Sequence, residues 1–247
     1  MTRSRNWVLF TSESMNQKGF TLVELLVAIS ITGIVIGCTG SGLYELMKAN
    51  QRSQIETTDR LELEQAMAFI IDEIKMSQSI KTDSISSLTR DDGFRQASGS
   101  SDPQPILVLE PAQNSGLTNP IVYYLADPPN RSVWAGSRVI YRWGPTLLQN
   151  GNYSDGNGKD VAQILPTAPV KYYNEVLVDR ISSIAPAQAT VPCETGDGDA
   201  APRVAQRLGF YACLAPDRKS VKLWMYKQPN SATKSQSVNA LVVTRSN

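Results

Sequence analysis

The sequence predicts an α+β protein in which one long N-terminal helix packs on an antiparallel β-sheet. No proline occurs between Phe20 and Ser101, so the early part of the chain lacks the strongest helix breaker. From Pro105 onward, short runs rich in β-branched and aromatic residues are bounded by Pro, Asn and Gly. Such runs are typical of strands, so helix and sheet are predicted to be consecutive along the chain.

The first part of the predicted helix is apolar enough to cross a membrane. Residues 25–44 carry no charge, and twenty residues in a helix span about 30 Å, the thickness of a bilayer core. A transmembrane helix is therefore predicted over 20–44. Glycines lower its helix propensity by about 1 kcal/mol each, so a break into two helices stays open as an alternative; they are Gly33, Gly37, Gly40 and Gly42.

Beyond the membrane segment, the apolar residues recur at helical spacing. This pattern predicts an amphipathic continuation over 45–80 whose apolar stripe covers the sheet. The stripe consists of Leu63, Met67, Ile70, Ile71 and Ile74.

Composition argues against an enzyme and against a nucleic-acid partner. The chain contains no histidine, which removes the commonest general base and the commonest zinc ligand. No catalytic residue is assigned and no cofactor is expected. The net charge is +1, so no strong field attracts nucleic acid.

A single acid, Glu24, interrupts the apolar segment. Inserting it into a bilayer costs about 3 kcal/mol, so it is expected to have a partner. One alternative is a secretory signal peptide. It is disfavoured, because such a peptide has a shorter apolar core followed by a small-residue cleavage site. A second alternative is a lipoprotein signal that ends in Val35-Ile36-Gly37-Cys38, with Cys38 acylated. It is disfavoured because Glu24 would lie inside its apolar core. A third alternative, an ordinary single-pass anchor, does not explain why Glu24 is present.

The stretch Lys18-Gly19-Phe20-Thr21-Leu22-Val23-Glu24-Leu25-Leu26 resembles the N-terminus of the type IV pilin and type II secretion pseudopilin superfamily. The resemblance covers about the first 60 residues. It implies that prepilin peptidase removes a leader, 1–19, by cutting between Gly19 and Phe20, and that Phe20 is then N-methylated. Translation from Met15 would leave a shorter leader of the same type.

The resemblance also implies a role for Glu24 in assembly. Its carboxylate would neutralise the Phe20 amine of a neighbouring subunit, because pairing offsets the cost of burying each charge alone. The expected partners are prepilin peptidase/methyltransferase, other pilins or pseudopilins and an inner-membrane assembly platform. The chain would cross the inner (cytoplasmic) membrane once, with its leader in the cytoplasm and its head in the periplasm, before entering a filament.

A globular β-rich head is predicted over 81–247, and an irregular connection at 77–101 leads to its first strand. The predicted strands are 105–110, 121–125, 138–143, 175–179, 207–214, 221–226 and 238–244. Their pattern resembles the minor pilin and minor pseudopilin branch, including J-type pseudopilins and W-type minor pilins. The segment from Gly209 also resembles cyanobacterial pseudopilins linked to polysaccharide secretion.

Two of the three cysteines are predicted to form a disulfide. Cys38 lies in the apolar segment, whereas Cys193 and Cys213 lie in the polar head. A Cys193–Cys213 bond in an oxidising compartment is favoured, with two unpaired thiols as the alternative.

Two glycine-rich loops carry acids that suit calcium. Their candidate ligands are Asp155 and Asp160 in one loop and Asp197 and Asp199 in the other. Neither loop has the spacing of an EF-hand, so two solvated turns are the favoured interpretation.

Basic and aromatic residues alternate in the middle of the head, a combination that can hold nucleic acid or sugar. The basic residues are Arg131, Arg138, Arg142 and Lys171, and the aromatic ones are Trp134, Tyr141, Trp143 and Tyr172. A lipid-anchored or pilus-borne binding protein (adhesin) for polysaccharide or DNA is therefore the alternative function. A core or a subunit contact is the favoured interpretation of the aromatic residues, because aromatic strands more often form these.

Overall fold

A computed structural model describes residues 19–81, 94, 103–128, 132–163, 169–182, 203–207, 209–215, 218–228 and 236–244. The chain divides into two compact units, Met1–Gln51 and Arg52–Asn247. The described residues form one long helix followed by antiparallel strands, which confirms the α+β prediction.

Helix α1 comprises Leu22–Met76 without a break, so its glycines do not interrupt it. It ends before the predicted boundary near Ile80. Ser77 Oγ donates to the Ile74 carbonyl (2.7 Å) and satisfies one of the acceptors at the helix end. The chain then turns directly into strand β1, Ser77–Lys81. The prediction of an irregular connection was therefore wrong for these five residues.

In the first unit, α1 exposes its apolar side chains over the whole length that was predicted to cross a membrane. The helix is long and apolar enough to do so. Its hydroxyl groups donate to carbonyls three or four residues earlier, as Ser30 does to Leu26 (2.8 Å) and Thr32 to Ala28 (2.7 Å). These polar groups are thus satisfied by the helix itself, as an apolar environment requires.

The second unit contains a sheet of nine antiparallel strands in the part of the chain that the structure describes. They are β1 (Ser77–Lys81), β2 (Gln104–Pro111), β3 (Ile121–Ala126), β4 (Arg138–Gly144), β5 (Tyr173–Ile181), β6 (Arg203–Arg207), β7 (Phe210–Leu214), β8 (Ser220–Lys227) and β9 (Gln236–Val243). The order is β1-β2-β3-β4-β5-β8-β7-β6, and β9 pairs with β8. The predicted β7–β8 hairpin is confirmed.

One predicted strand, 207–214, is divided in the structure. β6 ends at Arg207 and β7 begins at Phe210, because Gly209 adopts a left-handed φ of 83° between them. β6 pairs with β7 along its whole length. The two strands therefore form a hairpin rather than one continuous element.

The main core lies between α1 and one face of the sheet. From the predicted stripe, Leu63, Met67, Ile70 and Ile74 are buried, while Ile71 is half-buried at its edge. A second cluster of buried residues contains the stacked pair Tyr124 and Tyr141. β3 is buried at every position, which explains why its sequence is apolar without alternation.

Replacing Gly209 with alanine is expected to lower the free energy of unfolding by about 2 kcal/mol or more. A left-handed backbone costs about 1 kcal/mol for alanine, and a Cβ here would lie 2.5 Å from the Ser182 carbonyl oxygen, which adds an overpacking cost of about 1–3 kcal/mol. Gly151→Ala is the matched control, since its φ is 85° but nothing lies within 4 Å of its Cβ position. Urea denaturation of both variants measures the difference; equal losses would contradict the steric argument.

Candidate functional site

The N-terminus of α1 is closed by hydrogen bonds between Thr21 and Glu24. The Thr21 N–H and hydroxyl both donate to Glu24 Oε2, at 3.0 and 3.1 Å, and the Glu24 N–H donates to Thr21 Oγ1 at 3.3 Å. This reciprocal arrangement is a capping box. Its sequence signal, Thr-x-x-Glu before an apolar run, was visible in the chain but was not used in the prediction.

The capping box fixes the Glu24 carboxylate on Thr21, the residue that follows Phe20 in the chain. Both hydrogen bonds to this carboxylate use Oε2, so Oε1 remains available, within the described residues, for a further donor. The positive end of the helix dipole also favours a carboxylate here. The geometry therefore suits a carboxylate that caps its own helix and accepts a second charged hydrogen bond.

The predicted cleavage site lies just before this cap. Phe20 is 87% exposed, and a Cβ at Gly19 would meet nothing within 4 Å. Neither residue is inside a regular element, since α1 begins at Leu22. The peptide bond between them is thus accessible to a processing enzyme. Cys38, the acylation site of the lipoprotein alternative, is an exposed free thiol within α1.

A buried ion pair joins α1 to the sheet in the second unit. Arg142 Nη2 and Nε donate to Glu73 Oε1 and Oε2 at 2.7 and 2.9 Å, and both side chains are 1% exposed. Arg142 also donates to the Pro145 carbonyl (2.8 Å) and to Glu175 (3.3 Å). The Tyr123 hydroxyl donates to Glu73. The guanidinium and the carboxylate are therefore both paired inside the core.

The surroundings of Tyr123 and Arg142 keep both of these groups protonated. Burial and the negative charge of Glu73 raise the pKa of Tyr123 well above its usual value, so the phenol stays a neutral donor. Burial alone would lower the pKa of Arg142, but the hydrogen bonds and charge of Glu73 outweigh it and raise that pKa. The arrangement is suited to holding the helix on the sheet.

A second group of ion pairs joins α1 to the sheet about three to four turns before Glu73 in the helix. Lys227 Nζ lies 3.1 Å from Asp59 Oδ1 and also pairs with Glu62, and Arg180 pairs with Asp59. Lys227 is 1% exposed. Because Asp59 and Glu62 belong to α1 and the cations belong to β5 and β8, these contacts connect the helix to two strands.

The central residues of the basic and aromatic group are buried, which confirms the core that was favoured for the aromatic side chains. Arg142 is enclosed by Glu73, and Tyr141 and Trp143 belong to a buried cluster. Alternation along β4 does not expose them because both faces of this strand are covered. Arg138 is paired with Asp127 (3.4 Å). Arg131 lies outside the described residues.

In the loop predicted as a calcium candidate, Asp155 and Asp160 close backbone turns. Asp155 Oδ1 accepts the N–H groups of Asn157 (2.7 Å) and Lys159 (3.0 Å), and the bond from Asn157 is the main cause of a lowered Asp155 pKa. Asp160 accepts from Asn152 Nδ2 (2.6 Å). No group of three or more His, Cys, Asp or Glu suited to a metal occurs among the described residues.

The other two calcium candidates, Asp197 and Asp199, lie outside the described residues, so the favoured interpretation of their loop as a solvated turn stays a prediction. The same holds for one end of the predicted disulfide. Cys213 in β7 is disulfide-bonded, but Cys193 lies outside the described residues. The pairing of these two cysteines stays a prediction.

Comparison with known proteins gives one match, at the N-terminus. Residues 14–37 match the family model described as the prokaryotic N-terminal methylation motif. No curated protein and no solved structure matches the chain. The matched residues contain Gly19, Phe20, the capping box and the first turns of α1. The methylation motif and the apolar helix support a type IV pilin-like, structural protein that is anchored in a membrane.

Proposed function

We propose that this protein is a minor pilin or pseudopilin, a structural subunit of a type IV pilus-like or type II secretion-like filament. The match over residues 14–37 is the observation that carries the proposal. Prepilin peptidase cuts between Gly19 and Phe20, the new N-terminus is methylated, and the mature helix packs among those of other pilins. The inner-membrane assembly platform then moves the subunit from the membrane into the filament.

Glu24 supplies the charge that assembly needs. A carboxylate and an ammonium are each costly in an apolar environment, and pairing them offsets much of both costs. The free Oε1 of Glu24 is suited to accept from the Phe20 amine of a neighbouring subunit while Oε2 keeps its hydrogen bonds to Thr21. Capping and assembly thus use different oxygens of one side chain.

The strand pattern of the head supports the minor branch, with J-type pseudopilins and W-type minor pilins as the nearest types. A cyanobacterial pseudopilin for polysaccharide secretion is a narrower form of the same proposal. The head lies in the periplasm before assembly, where a Cys193–Cys213 bond would persist because that compartment is oxidising.

Mass spectrometry of the mature N-terminus tests this function. N-methylated Phe20 is the expected result. A diacylglyceryl group on Cys38 would instead show a lipoprotein and overturn the filament proposal. The same spectrum therefore separates the proposed function from its alternative, a lipid-anchored binding protein.

Replacing Gly19 with leucine is expected to reduce cleavage at least tenfold, because the peptidase must accommodate the residue before the cut bond. The fold does not oppose this change, since nothing lies within 4 Å of a Cβ at Gly19. Gly33→Leu is the matched control, because its surroundings are equally open, and it should be cleaved normally. Immunoblots of precursor and mature forms measure the ratio; normal cleavage of Gly19→Leu would contradict the assigned site.

A further inference from the structure

A cavity of about 740 Å³ lies beside strand β5 in the second unit. Its volume is in the range of small-molecule sites. Two of its lining residues, Glu62 and Arg180, also belong to the ion pairs that connect α1 to the sheet. The side chains that matter for its chemistry are Glu62, Trp134, Leu177, Asp179, Arg180 and Gln228.

A β-bulge in β5 carries two of the residues that line this cavity. The register between β4 and β5 shifts, so that Arg138 pairs with Ile181 but Ile140 pairs with Val178, which leaves one extra residue in β5. Arg180 adopts a left-handed φ of 52°, an uncommon conformation for a residue other than glycine. Bulges of this kind redirect side chains and are frequent beside functional sites. Here both Asp179 and Arg180 line the cavity.

Ala135 and Gly136, which line the cavity, are held against the bulge by hydrogen bonds and close packing. The Ala135 N–H donates to Asp179 Oδ2 (2.9 Å), and the Arg180 N–H donates to the Ala135 carbonyl (3.1 Å). A Cβ at Gly136 would lie 2.6 Å from Arg180 Cα, so the two segments touch. The Gln228 N–H donates to the Arg180 carbonyl on the other side (2.6 Å). The site is therefore largely preformed.

Charges of both signs surround the cavity. Glu62 and Asp179 contribute carboxylates, and Arg180 contributes a guanidinium that is 24% exposed. These charges are paired: Glu62 with Lys227, and Arg180 with Asp59 and with Asp179 (3.6 Å). A strongly charged ligand of either sign would have to compete with these pairs. The Gln228 amide adds both donor and acceptor capacity. This mixture suits a neutral ligand with several groups that both donate and accept.

Trp134 supplies the apolar part of the site. Its side chain lines the cavity and is 43% exposed, whereas Trp143 is 4% exposed and belongs to the second buried cluster. An exposed indole offers a large flat surface with a polar N–H at its edge. A sugar ring presents C–H groups on one face and hydroxyls around its rim, and each hydroxyl is both donor and acceptor.

We propose that this cavity binds a neutral oligosaccharide, with one sugar ring on the Trp134 indole and its hydroxyls hydrogen-bonded to Asp179, Arg180 and Gln228. The inference goes beyond the filament role and does not depend on it. Trp134 is one of the aromatic residues that the sequence analysis considered for sugar binding, whereas Arg142 from the same group is enclosed in the core.

Isothermal titration calorimetry on the full chain tests the proposal. The protein is kept in a zwitterionic detergent, because detergents with sugar headgroups would compete. The probes are maltohexaose, cellohexaose and chitohexaose. We expect saturable binding of at least one of them, weakened at least tenfold by Trp134→Ala and less by Trp134→Phe.

Val133→Ala is the matched control, since Val133 is 91% exposed and precedes Trp134 without lining the cavity. It should change affinity less than twofold. Far-UV circular dichroism checks that each variant keeps its fold. Absence of binding to all three probes, binding that survives Trp134→Ala, or binding of dextran sulfate in preference to the neutral sugars would each overturn the proposal.

Discussion

Replacing Arg142 with methionine is expected to lower the free energy of unfolding of the head by about 3–5 kcal/mol. The change leaves the Glu73 carboxylate 1% exposed without its guanidinium partner. The Tyr123 hydroxyl still donates to Glu73, but one neutral donor replaces little of a bidentate charged contact. Because whole-domain stabilities are only about 5–15 kcal/mol, the variant is expected to be close to unfolding.

Urea denaturation in detergent, followed by tryptophan fluorescence, measures this loss. A double variant, Arg142→Met with Glu73→Leu, should regain part of the stability, since well-packed apolar residues often replace a buried ion pair at little cost. The recovery is incomplete because the buried Tyr123 hydroxyl loses its acceptor, at a cost of about 1–3 kcal/mol. Arg138→Met is the matched control on the same strand. Its partner Asp127 is 75% exposed and Arg138 itself is 26% exposed, so a loss of about 1 kcal/mol is expected for this partly exposed pair. Equal losses for the Arg138 and Arg142 variants would contradict a special role for the buried pair.

Much of the fold could be predicted because its signals are local. The spacing of Leu63, Met67, Ile70 and Ile74 indicates a helix face, and all four are buried against the sheet. Strands such as β3 and β8 combine β-branched or aromatic residues with clear boundaries. These patterns need no knowledge of the partner element, because burial alone imposes them.

The features that the sequence did not reveal depend on partners that are distant in the chain. Ser77–Lys81 has a weak intrinsic preference for a strand, yet it pairs with β2 and buries Ile80 completely. Arg142 was one of the basic residues considered for ligand binding, but it is buried, whereas charged side chains are mostly exposed. Its partner Glu73 is 69 residues away in the sequence, on another element. A single sequence does not show which acid will neutralise a buried arginine.

Replacing Glu24 with glutamine is expected to reduce incorporation into filaments at least tenfold, while cleavage and methylation continue. Glutamine is a normal member of the capping box, so it can keep the hydrogen bonds from Thr21. It carries no charge, however, and leaves the Phe20 ammonium of the neighbouring subunit unpaired in an apolar environment. A tenfold loss corresponds to about 1.4 kcal/mol, well below the full cost of an unpaired charge there. Quantitative immunoblotting of sheared filaments against membranes measures the incorporated share.

Two further variants separate the charge of Glu24 from its capping role. Thr21→Val removes the hydroxyl that both donates to and accepts from Glu24, but it keeps the carboxylate and the Thr21 N–H contact. Loss of a cap costs about 1 kcal/mol of helix stability, so most of this variant should still assemble. Glu24→Leu removes both functions and should fail at least as severely as Glu24→Gln. If Glu24→Gln instead assembles normally and Glu24→Leu does not, the carboxylate acts as a helix cap and charge pairing between subunits is refuted.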